Sequence, residues 1–145
     1  RLVGSEMCIR DRSKILIVYT SWYEDHLKKM IQISKTSFES EYDLKFLTAP
    51  GAIELAALAK NYLSKENFSG VLFLGIIIRG ETTHYDLVSQ ETFRSIGNLA
   101  LEYPEKAFIN NVICTENEAQ LAERVEKNTL NNCIALKSLI NEKSC

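Results

Sequence analysis

From Ser13 onward, two kinds of apolar pattern alternate along the chain. Lys14 to Thr20 (KILIVYT) is nearly continuous and rich in β-branched residues, which predicts a buried strand. Asp25 to Glu39 spaces Leu27, Met30, Ile31, Ser34 and Phe38 three and four apart, the signature of a helix with one apolar stripe. Tyr42 to Thr48 returns to strand, and Pro50-Gly51 ends it. Ile53 to Lys65, dominated by Ala and Leu, predicts a second helix. Val71 to Ile78, apolar throughout apart from Gly75, predicts the central strand. After a polar loop, Tyr85 to Tyr103 sets Leu87, Val88, Phe93, Ile96, Leu99 and Ala100 on one helical face, and Pro104 stops the helix. Phe108 to Cys114 predicts a fourth strand. Glu116 to Lys127 and Leu130 to Glu142 predict two final helices, the second amphipathic through Ile134, Leu136, Leu139 and Ile140.

Strands separated by helices pair in parallel through right-handed crossovers, with helices on both faces. The expected fold is α/β, a flavodoxin-like three-layer α/β/α sandwich around a four-stranded parallel sheet. Such sheets bind ligands outside the carboxyl ends of their strands. The unusual residues fall there: Thr20 to Tyr23, Thr48 to Glu54, Arg79 to Asp86, and Cys114 to Glu118.

Composition narrows the class. At 145 residues the chain suits one domain, expected over 13–145. Residues 1–12 (RLVGSEMCIRDR) lack periodicity, an initiating methionine and the apolar core of a signal peptide, and are read as a non-native or disordered leader. A net charge of −2 with both signs interspersed gives no footprint for nucleic acid or anionic membrane. The longest apolar run is far short of the roughly 20 residues that span a bilayer. Cys8, Cys114, Cys133 and Cys145 have neither C-x-x-C nor histidine spacing, so no metal site is expected, and reduced thiols in a cytoplasmic protein are.

Each candidate site residue carries an ordinary reading beside a chemical one. Thr83 and Asp86 have capping-box spacing, so a helix is expected to start there, with Gly80 letting an anion approach its N–H groups. His84 then falls in the first turn, either a plain surface residue or an imidazole placed to exchange protons near neutrality. Trp22, the single tryptophan, is either an interface or core anchor or a platform for a flat heterocycle. Glu54 at a helix start answers the macrodipole or accepts hydrogen bonds from a polyol. Arg124, two turns beyond a second expected capping box of Thr115 and Glu118, is solvated charge or an anion ligand presented to a neighbouring subunit.

Three segments, Thr48 to Leu55 (TAPGAIEL), Leu74 to Asp86 (LGIIIRGETTHYD) and Thr115-Glu116-Asn117, resemble the lumazine synthase family, in order, within a likeness covering about Lys14 to Lys127. That resemblance implies condensation of 5-amino-6-(D-ribitylamino)uracil with 3,4-dihydroxy-2-butanone 4-phosphate, releasing phosphate and water, without metal or organic cofactor. It implies an aromatic ring at Trp22 over the pyrimidine, and a ribityl and ring segment at Ala52, Ile53 and Glu54. Ile76, Ile77 and Ile78 would line the pyrimidine pocket, Gly80, Glu81 and Thr82 would form the phosphate turn, and His84 would move protons. Asn110 would reach the pyrimidine, and Arg124 the phosphate, from an adjacent subunit of a homo-oligomer, a pentamer or a multiple of it.

Three positions depart from the family pattern. Asn128 to Asn132 (NTLNN) stands where a lysine-glycine pair is usual, leaving phosphate binding more heavily to Arg124 or shared with Lys127. Ile53 replaces a common Phe, and residues 1–12 do not resemble the segment that adds a strand to a neighbour. The alternative is a catalytically silent ring-forming scaffold that binds lumazine or flavin, although His84, Arg124 and the Gly80 turn have no chemical use there. A flavodoxin-like electron carrier fits less well, because Thr20 to Asp25 has two acids and no glycine for a phosphate loop.

Overall fold

A computed structural model describes residues 12–81 and 83–143. It runs β1 (Lys14–Thr20), α1 (Glu24–Phe38), β2 (Asp43–Ala49), a 3-10 turn (Ala52–Glu54), α2 (Leu55–Leu63), β3 (Gly70–Ile78), a second 3-10 turn (Arg79–Glu81), α3 (Tyr85–Glu102), β4 (Ala107–Thr115) and α4 (Glu118–Lys143). The four strands are parallel in the order β2-β1-β3-β4. The expected α/β sandwich with a four-stranded parallel sheet is what forms.

Strand β3 is buried at every position because helices cover both sheet faces. One face sets Ile15, Ile17, Leu72, Leu74 and Ile113 against Leu27, Met30 and Phe38 of α1 and Leu121, Val125, Leu136 and Ile140 of α4. The other sets Leu16, Val18, Phe73 and Ile77 against Leu55, Ala59 and Leu63 of α2 and Ile96 and Leu99 of α3. From β1 the chain steps outward to β2, then crosses back to β3 and on to β4. The direction reverses between β1 and β3, the switch point where open α/β sheets leave a crevice.

Register deepens that crevice. Pairing of β1 with β3 ends at Tyr19 opposite Leu74, whereas β3 continues beside β4 from Gly75–Val112 to Ile78–Thr115. The β3–β4 pair therefore stands four residues, roughly 13 Å at strand rise, above the last pairing of β3 with β1.

Several expectations need correction. The two C-terminal helices are one, a 26-residue α4. No Gly or Pro interrupts it, and its buried residues Leu121, Val125, Thr129, Cys133, Leu136 and Ile140 form one continuous stripe. Its polar middle is stitched to β4: Asn111 Nδ2 donates to Thr129 Oγ1 at 2.9 Å, and Asn132 Nδ2 donates to Asn111 Oδ1 at 2.6 Å. Lys143 closes the far end, donating to the carbonyls of Pro104 and Lys106, both at 2.9 Å.

Ile134 is exposed rather than buried, because the stripe runs through Cys133 and Leu136 on either side of it. On α3, Leu87 and Phe93 also point outward with Leu101, and the buried face is Thr92, Ile96 and Leu99. The second helix is shorter than expected and opens through the 3-10 turn Ala52–Glu54. Other ends shift by a residue or two, within ordinary fraying. Arg12, at the end of the expected leader, donates to the carbonyls of Glu39 and Tyr42 and pairs with Asp43. Residues 1–11, Thr82, Cys8 and Cys145 lie outside the described residues.

The Asn111 seam is the part of this packing most exposed to a single change. Asn111→Ala leaves the buried Thr129 hydroxyl and the half-buried Asn132 amide without their partner. A loss of about 1–3 kcal/mol is expected on urea unfolding, and an unchanged midpoint would show that the seam adds nothing.

Candidate active site

The loop after β1 is shaped by Tyr23, whose φ of 61° makes it the sole non-glycine residue with positive φ among those described. A left-handed tyrosine costs about 1–2 kcal/mol. Its carbonyl accepts the first N–H groups of α1, from His26 at 3.0 Å and Leu27 at 3.1 Å. This sharp turn carries Trp22 across the end of β2, where the indole N–H donates to Pro50 O at 3.1 Å. With its one polar atom satisfied inside the chain and its surface 64% exposed, the ring offers a flat apolar face.

The loop after β2 lies beneath it. Glu54 N–H donates to Gly51 O at 3.3 Å, closing the 3-10 turn. Glu54 makes no side-chain cap bond to α2, and a Cβ on Gly51 would sit 2.9 Å from its Oε1. The carboxylate therefore folds back over the glycine, which makes it more than a helix-end charge. Ile53 beside it is exposed.

At the end of β3, Ile76, Ile77 and Ile78 bury their side chains in the core. Arg79 to Glu81 then turns toward α3. The helix starts where expected but differently capped: His84 is the N-cap without a side-chain cap bond, and Asp86 binds Arg79 Nη2 at 3.3 Å instead of closing a box with Thr83. A charged guanidinium is a stronger donor than a backbone N–H. Arg79, Thr83, His84, Tyr85, Asp86 and Leu87 line a cleft of about 240 Å³.

At the end of β4 the cap is also displaced from the expected Thr115 and Glu118. Asn117 Oδ1 accepts Gln120 N–H at 3.1 Å, and Gln120 Oε1 accepts Glu116 N–H at 2.9 Å. Thr115 is instead buried as the last strand residue. Cys114 and Tyr85 share a side-chain hydrogen bond. Burial pushes the Cys114 thiol up, opposed by that bond, and burial also raises Tyr85, opposed by Arg79. Both stay protonated at neutral pH, so Cys114 forms a wall rather than a thiolate nucleophile.

Among the described residues, only His84 of the expected site lines the cleft at the start of α3. Arg124 Nη1 reaches Cys114 O at 3.3 Å, which holds its guanidinium at the end of β4. Asn110 lies within the outer strand β4 and turns its Oδ1 onto Val112 N–H at 2.8 Å. The remaining elements converge: Trp22 is tied to Pro50, α3 packs on the Ala52–Glu54 turn, and Ala52, Tyr85 and Val88 share one apolar cluster with Ile77. Tyr23, Arg79 and Glu116 fall in the strand-end segments marked from the sequence, but none is assigned a role there.

Among the described residues no three His, Cys, Asp or Glu gather as a metal site, and no helix is long and apolar enough to cross a membrane. Residues 12–138 match the 6,7-dimethyl-8-ribityllumazine synthase family profile. A 6,7-dimethyl-8-ribityllumazine synthase of Neisseria meningitidis is 38% identical over 88 residues, 61% of this chain and 55% of that protein, so the chain spans about half the length of that relative. One from Erythrobacter litoralis is 35% identical over 116 residues, 79% of this chain and 81% of the relative. One from Novosphingobium aromaticivorans is 33% identical over the same shares. A four-stranded parallel sheet in the order β2-β1-β3-β4, and a family match across most of its length, place this chain in the 6,7-dimethyl-8-ribityllumazine synthase family.

Proposed function

We propose that the chain carries out the family reaction, joining 5-amino-6-(D-ribitylamino)uracil to 3,4-dihydroxy-2-butanone 4-phosphate to give 6,7-dimethyl-8-ribityllumazine, phosphate and water. The observation that carries this reading is the convergence at the switch point. Trp22 presents an exposed ring, Glu54 folds its carboxylate over Gly51, and the Arg79–His84 cleft opens at the start of α3, the helix that packs on the Ala52–Glu54 turn.

In this reading the pyrimidine stacks on Trp22, whose indole N–H is already committed to Pro50. Glu54, with Ala52 and Ile53, takes the ribityl hydroxyls, and the strand end at Ile76 to Ile78 borders the ring. Gly80, Glu81 and Thr82 form the phosphate turn. His84 relays protons as the amine attacks the ketone, the imine forms, phosphate leaves and the ring closes with loss of water. Holding two substrates in one crevice is worth up to about 7–11 kcal/mol, so positioning outweighs the proton relay.

Arg124 and Asn110 act on a neighbouring subunit's site, which requires a homo-oligomer, a pentamer or a multiple of it. The outward Leu87, Phe93 and Leu101 of α3 support assembly, since the last is 79% exposed and gains from burial. Lys127 lies with Gln32, Ile33, Thr36 and Ser37 in a groove between α1 and α4. That placement favours Arg124 over Lys127 as the phosphate's cation. The thiols of Cys114 and Cys133 are unpaired, as in a cytoplasmic enzyme.

Mixing the two substrates with the protein is expected to raise lumazine absorbance faster than buffer alone. A ring assembly with no such rate would favour the silent scaffold. His84→Ala is expected to lower kcat by about 10²–10⁴-fold and leave measurable turnover, whereas complete loss in a folded, assembled variant would contradict a relay role. Native mass is expected at five subunits or a multiple, and Phe93→Asp should shift it downward without changing the circular dichroism. A wild-type monomer would sink the shared-site part of the proposal.

A further inference from the structure

We propose that Arg79 is a positioning residue for the phosphate turn, a clamp that fixes both ends of residues 80–84 and keeps two carboxylates from facing the incoming phosphate. The inference rests on the reaction proposed above, and adds to it a residue that contacts neither substrate.

One guanidinium binds three side chains on two separate elements. Its Nε donates to Glu116 Oε2 at 2.9 Å, beyond the end of β4. Its Nη2 donates to Asp86 Oδ1 at 3.3 Å, in the first turn of α3. Its carbon lies 4.4 Å from the centre of the Tyr85 ring, the geometry of a cation over an aromatic face. The Tyr85 ring is itself steadied by the hydrogen bond its hydroxyl shares with Cys114. Arg79 begins the turn, Tyr85 and Asp86 end it, and Glu116 lies on the adjoining loop. The turn is therefore closed at both ends by one planar group.

The Asn117–Gln120 pair does not do that work, since it secures only the β4 side. Arginine suits the task because its planar fork addresses two carboxylates and stacks at once, which a lysine ammonium does not.

The charge pattern makes the effect specific. Arg79 stands between Asp86 and Glu116 with Nη2 on the first and Nε on the second, so it compensates both acids. Without it, two carboxylates remain beside a turn meant for a phosphate dianion, and they repel it. The pyrimidine, held by Trp22 and Glu54 on the neighbouring loops, does not meet that charge.

The test is steady-state kinetics on Arg79→Met and Arg79→Lys, with KM measured separately for the two substrates. For the methionine variant, KM for the phosphorylated substrate is expected to rise about tenfold to a hundredfold, with KM for the pyrimidine within twofold. The lysine variant should fall between, since it restores charge without the fork. Combining Arg79→Met with Asp86→Asn and Glu116→Gln, which rebalances charge but leaves the turn unclamped, should recover only part of the loss.

An unchanged KM for the phosphorylated substrate, parallel rises in both KM values, or full recovery in the triple variant would overturn the clamp. Should Arg79→Met fail to assemble, Asp86→Asn alone removes one prong. Because that change also removes a repelling carboxylate, a raised KM for the phosphorylated substrate supports the clamp, and an equal or lower one overturns it. A wild-type protein that makes no lumazine sinks the proposed reaction, whereas an active wild type matched by its Arg79 variants sinks the clamp alone.

Discussion

The stagger at the carboxyl edge of the sheet is the constraint on which the rest of the molecule depends. Because β3 and β4 run on past the last pairing with β1, the loops after β1 and β2 lie on a shelf beside a taller wall. The reversal of strand order between β1 and β3 opens a crevice at that step. The wall is stable because β3 is covered on both faces, so its end can carry the polar segment Arg79 to His84 without losing its footing. Each side chain of the proposed chemistry inherits its position from this arrangement.

What holds the crevice in shape is a small set of polar contacts laid over that apolar frame. The Trp22 indole joins the first two loops, and the Arg79 guanidinium joins the last two. Such exposed contacts add little to stability. Their value is geometric, since both are made by rigid planar groups with few alternative poses. The left-handed backbone of Tyr23 has the same character, with local strain tolerated because the surrounding α1 and β1 packing fixes it.

Strands and helices were legible wherever burial set the pattern. The runs Lys14 to Thr20 and Val71 to Ile78 admit few structures other than buried strands, and they became β1 and β3 with ends moved by at most a residue. The misreadings came where polar residues are buried or apolar ones exposed. Thr129 and Asn132 look like a break between helices, yet they face Asn111, a partner 18 to 21 positions away that local periodicity does not reveal. Leu87 and Phe93 look like core and face outward, because composition does not distinguish a core-facing stripe from an exposed one. At the site, capping boxes gave the helix starts to within two residues and the wrong partners. The bond from Asp86 to Arg79 depends on a side chain delivered by a neighbouring strand end. Trp22 stood out by its rarity, whereas the turn at Tyr23 that aims it left no trace in residue type.

The uninterrupted α4 gives the molecule a mechanical property. At about 1.5 Å per residue it is a rod of roughly 39 Å, with Arg124 near one end and Lys143 anchored to the loop before β4 at the other. A jointed pair of helices would let the half bearing Arg124 swing by itself. A single rod cannot, so any displacement of that guanidinium must tilt the whole helix against the Asn111 seam and strain its moorings below the sheet. The cation is thus carried on a stiff lever, and its reach is set by the packing of the entire layer.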